Sequence, residues 1–216
     1  AVKVEGNILI DNVSSQATVL GGGVAGGIVG FVDDGTSVVF DSCNASGNIK
    51  TTTSARIIGR SAGGIIGHVR KSNVTVKNCH FNGSVVSESG VELSEWAGVF
   101  ASGIIGCVPS EDSVSLTVIN STNAGTVNAV VDEDSKVDNP YAGASGIVTF
   151  YNISQGYSFS IVNCHNRGPV SVESGNNSFV LVASGIVSTL KSNFGGNAWP
   201  IVQECSNSGN VSLTGN

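Results

Sequence analysis

Ala25-Gly26-Gly27-Ile28-Val29-Gly30 returns as Ala62-Gly63-Gly64-Ile65-Ile66-Gly67, as Ala101-Ser102-Gly103-Ile104-Ile105-Gly106, as Ala144-Ser145-Gly146-Ile147-Val148-Thr149, and as Ala183-Ser184-Gly185-Ile186-Val187-Ser188. The matched glycines 27, 64, 103, 146 and 185 lie 37 to 43 residues apart. Self-similarity at such a period is the signature of a stacked-repeat architecture, in which each unit buries its apolar face against the next.

A second motif runs out of phase with the first. Cys43, Cys79, Ser121, Cys164 and Cys205 each stand four residues before Gly47, Gly83, Gly125, Gly168 and Gly209, and that spacing never varies. The distances from these glycines to the Gly-Ile-Val motif, and onward to the next cysteine position, do vary, so insertions fall in two corners only. One tight corner and two looser loops per coil are expected, with the corner glycine supplying a positive φ. A third apolar segment completes each unit, for example Val38-Val39-Phe40 and Val74-Thr75-Val76. We therefore expect an all-β fold, a β-solenoid of about five repeats with three short strands each. Gly6-Asn7-Ile8 matches Gly47-Asn48-Ile49, which makes 1–46 a partial repeat, places repeat starts near 47, 83, 125 and 168, and leaves 209–216 as a last partial repeat. The whole of 1–216 reads as one repeat domain.

Composition agrees. Of 216 residues 40% are hydrophobic and 12% charged, with 29 glycines, which excludes disorder and favours strands and turns. The net charge of -6 and ten scattered basic residues give no stripe that could follow a phosphate backbone, so nucleic acid is not expected as a partner. No apolar stretch reaches the length of a membrane span. No leader is visible at Ala1, so any signal peptide has been removed or lies outside this chain.

Side chains alternate along a strand, yet both positions of each Ile-Val pair are apolar in all five copies. Both faces of these strands must be covered, by the long loops or by a partner.

The Ala-Gly-Gly-Ile-Val-Gly core, followed by the Cys-Asn-x-x-Gly-x-Ile/Val corner, resembles the GLUG-type repeats of bacterial adhesins and surface proteases across essentially the whole chain. The resemblance implies a β-solenoid stalk or adhesive module outside the cell, and carries no catalytic residues. Ser121, Thr149 and Ser188 depart from the pattern.

Candidate chemistry is sparse. Gly21-x-Gly23-x-x-Gly26 matches a dinucleotide fingerprint in letters, but leads into another β segment rather than a helix. The structural repeat cysteines Cys43, Cys79, Cys164 and Cys205 would form one column along the stack, as buried free thiols in preference to a Cys43–Cys79 disulfide or a metal site; His80 and His165 would turn to the opposite face. Cys107 reads as one more core thiol. Asp132-Glu133-Asp134 with Asp138 lacks the pattern of a calcium loop and reads as solvated surface. No nucleophile–base frame is present, so no catalytic residue, cofactor or metal ligand is assigned and an enzyme is not expected. Asn-x-Ser/Thr occurs at Asn12, Asn44, Asn73, Asn82, Asn120, Asn152, Asn176 and Asn210, against about four expected by chance, as candidate N-glycosylation sites. Trp96, Trp199, Tyr141, Tyr151 and Tyr157 read as spread through loops, short of the clustered platform that a sugar needs.

The expected function is an extracellular or cell-surface structural or adhesive module, with a glycan-binding or polysaccharide-processing β-helix domain as the alternative. Expected partners are neighbouring repeats or further copies of the chain, and surface glycans or host and matrix proteins. Val2, Val4, Ile8 and Ile10 alternate as an ordinary strand would, and Gly209-Asn210-Val211 opens a new coil, so neither end reads as capped. Either a longer array supplies the caps, or copies stack head to tail into a filament.

Overall fold

The structure, a computed structural model, describes residues 6–33, 35, 37–52, 60–89, 98–109, 114–135, 141–151, 157–175, 180–189 and 200–215. These form a β-solenoid: every strand pairing is parallel, and each strand pairs with its counterpart in the neighbouring coil. One coil runs Ser37–Asp41, Asn44–Ala45, Asn48–Thr51, Arg60–Gly63, Ile66–Val69 before the path returns to Asn73–Lys77. We label the five stacked sheets A to E in that order; A, B and C hold six strands each, D and E five.

Five ladders thus stand where three segments were expected. The Gly-Ile-Val motif is a bend between D and E, and the cysteine corner carries the two-residue strand of B. The first coil is also shifted from the Gly-Asn-Ile match. Asn7–Asp11 pairs with Ser37–Asp41 in sheet A, whereas the residue in register with Ile49 is Val19, which makes Ala17 the counterpart of Gly47. Backbone pairing, set by the apolar pattern Ile8/Ile10 over Val38/Phe40, overrides a tripeptide match.

The cross-section explains the double apolar character of the repeated motif. Sheets A, B and C form an outer wall, and D and E fold back inside it, D against C and E meeting A through side chains. Phe150 of E stacks on Phe159 of A with centroids 4.5 Å apart. The vertex between D and E points at sheet B: a Cβ on Gly64 would meet the Phe81 ring, and one on Gly103 would meet the side chain of Asn123. A and C alternate buried and outward residues, while D and E are buried on both faces in the middle coils. Ile65, Ile66, Ile104, Ile105, Ile147 and Val148 are all fully buried within the single chain, so their cover needs no partner.

The layer between D and E also accounts for the departures at Thr149 and Ser188. In the early coils Gly26 lies against Gly67, and Gly63 against Gly106, so closely that a Cβ on Gly26 or Gly63 would strike the backbone of its partner. Further along, a buried hydroxyl network fills the gap: Ser102 Oγ to Ser145 Oγ at 2.9 Å, Ser102 Oγ to Thr149 Oγ1 at 2.8 Å, and Ser188 Oγ to Thr149 Oγ1 at 2.9 Å. Each hydroxyl both donates and accepts, so a chain of them can be buried without orphaned groups.

Positive φ falls elsewhere than expected. It belongs to the residue before each cysteine position, Asn12, Ser42, Asn78, Asn120, Asn163 and Glu204, at 51° to 55°. Asparagine tolerates that conformation better than most residues, which accounts for four of the six. The corner glycines are required for another reason. A Cβ on Gly83, Gly125, Gly168 or Gly209 would strike the carbonyl oxygen of the column glycine one coil before it. The formal dinucleotide fingerprint ends in the strand Val24–Gly26 of sheet D, with no helix for a pyrophosphate to meet.

Candidate functional site

The cysteine corner is where polar chemistry concentrates, and it is built to join coils. Cys43, Cys79 and Cys164 are buried and Cys205 half-buried, all as free thiols. Each Sγ lies over the carbonyl two residues before it (Cys79 to Lys77 O, 3.2 Å; Cys164 to Val162 O, 3.3 Å) and over one of the preceding coil (Cys164 to Val118 O, 3.5 Å). Ser121 makes the same local bond to Ile119 O at 2.9 Å and accepts from Cys79 N at 3.2 Å, so it substitutes for a thiol without a gap in the column. Burial pushes the Cys79 and Cys164 thiols up to about 12 and raises Cys107 as well, which keeps them protonated and unreactive.

Two residues on lies a feature that the sequence reading missed. Asn123, Asn166 and Asn207 form an interior amide ladder: Asn123 Nδ2 donates to Asn166 Oδ1 and Asn166 Nδ2 to Asn207 Oδ1, both at 2.7 Å. Each also donates to the carbonyl of the glycine two residues on, at 2.8 to 3.1 Å. The Asn-x-Gly recurrence was visible, but only the B-strand register shows these asparagines pointing inward.

Outside the corner the pattern repeats. Asn163 donates to Asn120 at 2.9 Å, Asn120 to Asn78 at 3.3 Å and Asn78 to Asp41 at 2.9 Å. Lys77 reaches Asp41 at 2.9 Å; that bond, then the Asn78 bond, holds the Asp41 carboxyl below its ordinary range and lifts Lys77. Lys50 pairs with Glu88 at 2.7 Å in the same coil-to-coil sense. His80 and His165 face outward, bonded to the next coil's Thr122 (2.6 Å) and Ser206 (2.8 Å).

Of the candidate sequon asparagines, Asn12, Asn44, Asn73, Asn82, Asn120 and Asn210 are exposed. Asn152, Asn176, Asp138, Trp96, Trp199, Val2 and Val4 lie outside the described residues. Asp132 accepts from the backbone N–H groups of Asp134 and Ser135, which makes the acidic stretch a local turn. Among the described residues no three His, Cys, Asp or Glu side chains converge as a metal site, and no helix is long and apolar enough to cross a membrane.

Two further clusters form where strands of D and E meet the variable loops. Tyr141 and Tyr151, which the sequence places in separate loops, stand on strands with ring centroids 5.3 Å apart, and Phe100 lies 5.4 Å from Tyr151. Both tyrosines are half-buried, while Tyr157 is buried with its hydroxyl donating to Pro109 O. In an earlier coil Arg70 grips Asp33 through two bonds of 2.7 and 2.8 Å and lies over Phe31, which in turn packs on His68. Burial, with the nearby Arg70 charge, lowers His68 to about 4, so it is neutral in the folded chain at neutral pH.

No protein-family model matches the chain, and no curated protein matches it. Among solved structures the chain is similar to a Bacteroides ovatus protein described as a "putative immunoglobulin A1 protease", at 15% identity and a TM-score of 0.47, over 95% of this chain and 67% of that one.

Proposed function

We propose that this chain is a structural or adhesive β-solenoid module that works outside the cell. The observation that carries the reading is the use made of its polar side chains. Cysteine, asparagine, histidine, serine and charged residues of the corner are spent in bonds from one coil to the next, so the corner's chemistry stiffens a rod. Six exposed sequon asparagines, and the resemblance of the repeat to GLUG-type surface proteins, support the extracellular setting. Rods of this kind display their loops at fixed intervals for contact with glycans or matrix proteins. Binding of the purified chain to a glycan and matrix-protein array, followed by assay of any bound glycan for cleavage, tests this; turnover would sink it.

A second reading, a glycan-binding site, is favoured by the Tyr141–Tyr151 pair with Phe100 behind it, since paired half-exposed rings offer a stacking surface. Loss of array binding in Tyr141→Ala and Tyr151→Ala, with the fold intact by circular dichroism, would locate binding there. Binding unchanged in both variants would remove this reading. The narrower filament form of the first reading requires the first coil of one copy to seat on the last coil of another.

A further inference from the structure

We infer that the chain carries a site of self-modification at Asn82-Gly83, where the backbone nitrogen of Gly83 closes on the side-chain amide of Asn82 and expels ammonia in the folded molecule.

The repeat itself sets these two residues side by side. Ser46, Asn82, Ala124, Arg167 and Ser208 occupy one position, just before the corner glycine of each coil, and Asn82 is the asparagine among them. Asn82-Gly83 is also the one Asn-Gly sequence in the 216 residues. The stack requires the glycine, because a Cβ on Gly83 would strike Gly47 O. The same missing Cβ leaves the approach to the Gly83 nitrogen unobstructed.

The hydrogen bonding of the corner leaves the peptide group between them loose. Asn82 N donates to Ala45 O at 2.9 Å and Ser84 N to Gly47 O at 3.2 Å, while Phe81 O and Gly83 O accept from Ala124 N and Thr126 N at 2.8 and 2.9 Å. The group in the middle, Asn82 C=O with Gly83 N–H, makes no hydrogen bond among the described residues. One coil on, Gly125 N is held by Asn123 Oδ1 at 3.0 Å. The residue in register with Asn123 is Phe81, which offers no such acceptor. A peptide plane turns through the two dihedrals that flank it, so this one can reach ring-closing geometry without breaking any of the neighbouring bonds. The Asn82 side chain is exposed, which opens it to solvent base and lets ammonia leave.

The reaction balances with water alone. Hydroxide takes the Gly83 N–H proton, the nitrogen bonds to Asn82 Cγ, and the Cγ–Nδ2 bond breaks to release ammonia. Water then opens the cyclic imide. Attack at Cγ breaks the new bond and leaves aspartate, which adds a negative charge to the corner. Attack at the main-chain carbonyl breaks the original Asn82–Gly83 bond and routes the backbone through Cγ as isoaspartate. That product carries an extra methylene in the main chain, so the bonds to Ala45 O and Gly47 O, set for an ordinary backbone, no longer both fit. Neither product can accept a glycan at this sequon.

The full chain, made without glycans in a bacterial host, tests this at mildly alkaline pH in water enriched in heavy oxygen, folded in one sample and unfolded in guanidinium chloride in another. Peptide mapping of the folded sample should find heavy oxygen at Asn82 ahead of the exposed Asn12, Asn44 and Asn120, with part of the product as isoaspartate. The folded rate at Asn82 should lie within about tenfold of the unfolded one. Asn82→Gln, which would need a larger ring, should lose the labelling there and keep the native thermal midpoint. A folded rate more than about tenfold below the unfolded one would mean that the corner shields the amide, and would overturn the inference. So would earlier labelling at Asn12, Asn44 or Asn120, or ammonia release undiminished in Asn82→Gln. These outcomes stand apart from the functional reading, which falls by glycan turnover.

Discussion

Replacing Asn166 probes whether the amide ladder holds the coils together. Its side chain is 1% exposed, accepts from Asn123, and donates to Asn207 and Gly168 O, three bonds of 2.7 to 2.8 Å. A neutral hydrogen bond is worth about 1 kcal/mol net, and stranded buried partners add to the loss. Asn166→Ala should therefore cost about 2–4 kcal/mol, or roughly 5–15 °C in a domain of this size. Asn207→Ala, at an exposed position, should cost under about 1 kcal/mol. Asn166→Asp separates hydrogen bonding from packing. Its carboxylate could still accept from Asn123, but it would face the oxygens of Asn207 and Gly168 where the amide donated. Those acceptors and burial raise the folded-state carboxyl above its unfolded value of about 4. The penalty is therefore small below that value and grows as pH rises toward the folded one, so acidification should bring the variant back toward the native chain. Thermal unfolding by far-ultraviolet circular dichroism at several pH values, each against the native chain at the same pH, reads this. A cost below about 0.5 kcal/mol in Asn166→Ala, with no pH-dependent gap in Asn166→Asp, would refute the ladder as a stabilising element.

Gly125→Ala, which would drive a Cβ into Gly83 and the Phe81 ring, should cost about 1–3 kcal/mol or more, read by urea denaturation. His68, neutral when folded and facing Ser61, Phe31, Arg70 and Asp33, binds a proton more readily once unfolded. The stability it lends is full above about pH 6.5 and lost as pH falls toward 4, roughly 3 kcal/mol in all; His68→Asn should flatten that part of the pH–stability curve. Thiol labelling of the native chain should reach Cys205 first and the four buried cysteines slowly, with five thiols recovered after unfolding; recovery of three would mean a disulfide. Expressed through a eukaryotic secretory route, the chain should carry glycans at exposed sequons such as Asn44, Asn73 and Asn82, and intact mass should drop on amidase treatment; an unchanged mass would remove glycosylation from the account.

The solenoid was legible because its signal is repetition, which needs no knowledge of where a side chain points. The invariant four-residue spacing from cysteine to glycine marked the corner, and the apolar pairs of the Gly-Ile-Val motif showed that both faces of those strands are covered. What covers them was not legible. Folding D and E inside the wall depends on Gly63 opposing Gly106 and Gly64 making room for Phe81, contacts between residues whose pairing the repeat does not encode. The same holds for Tyr141 and Tyr151, ten residues apart in sequence but brought together where D and E open. The corner glycine was read by its usual reason, a positive φ, when close approach of a neighbouring carbonyl was the operative one. A sequence shows that only glycine fits; coordinates show which of its two freedoms is in use.

That distinction bears on the whole corner column. Because close approach is the operative reason, each glycine from Gly47 to Gly209 records the backbone of the coil before it. The same reading applies to the Gly-Ile bend, where the sense is reversed: a Cβ on Gly27, Gly64 or Gly146 would strike the next coil's carbonyl. Gly185 keeps its glycine although the last described strand of sheet D is its own, and the three atoms nearest its Cβ would belong to Asn207. There the neighbour across the coil is sufficient cause. Two glycine columns of opposite sense thus constrain a solenoid from both directions. Only the corner column, free of side chains across the coil in the last two members, reports on stacking alone.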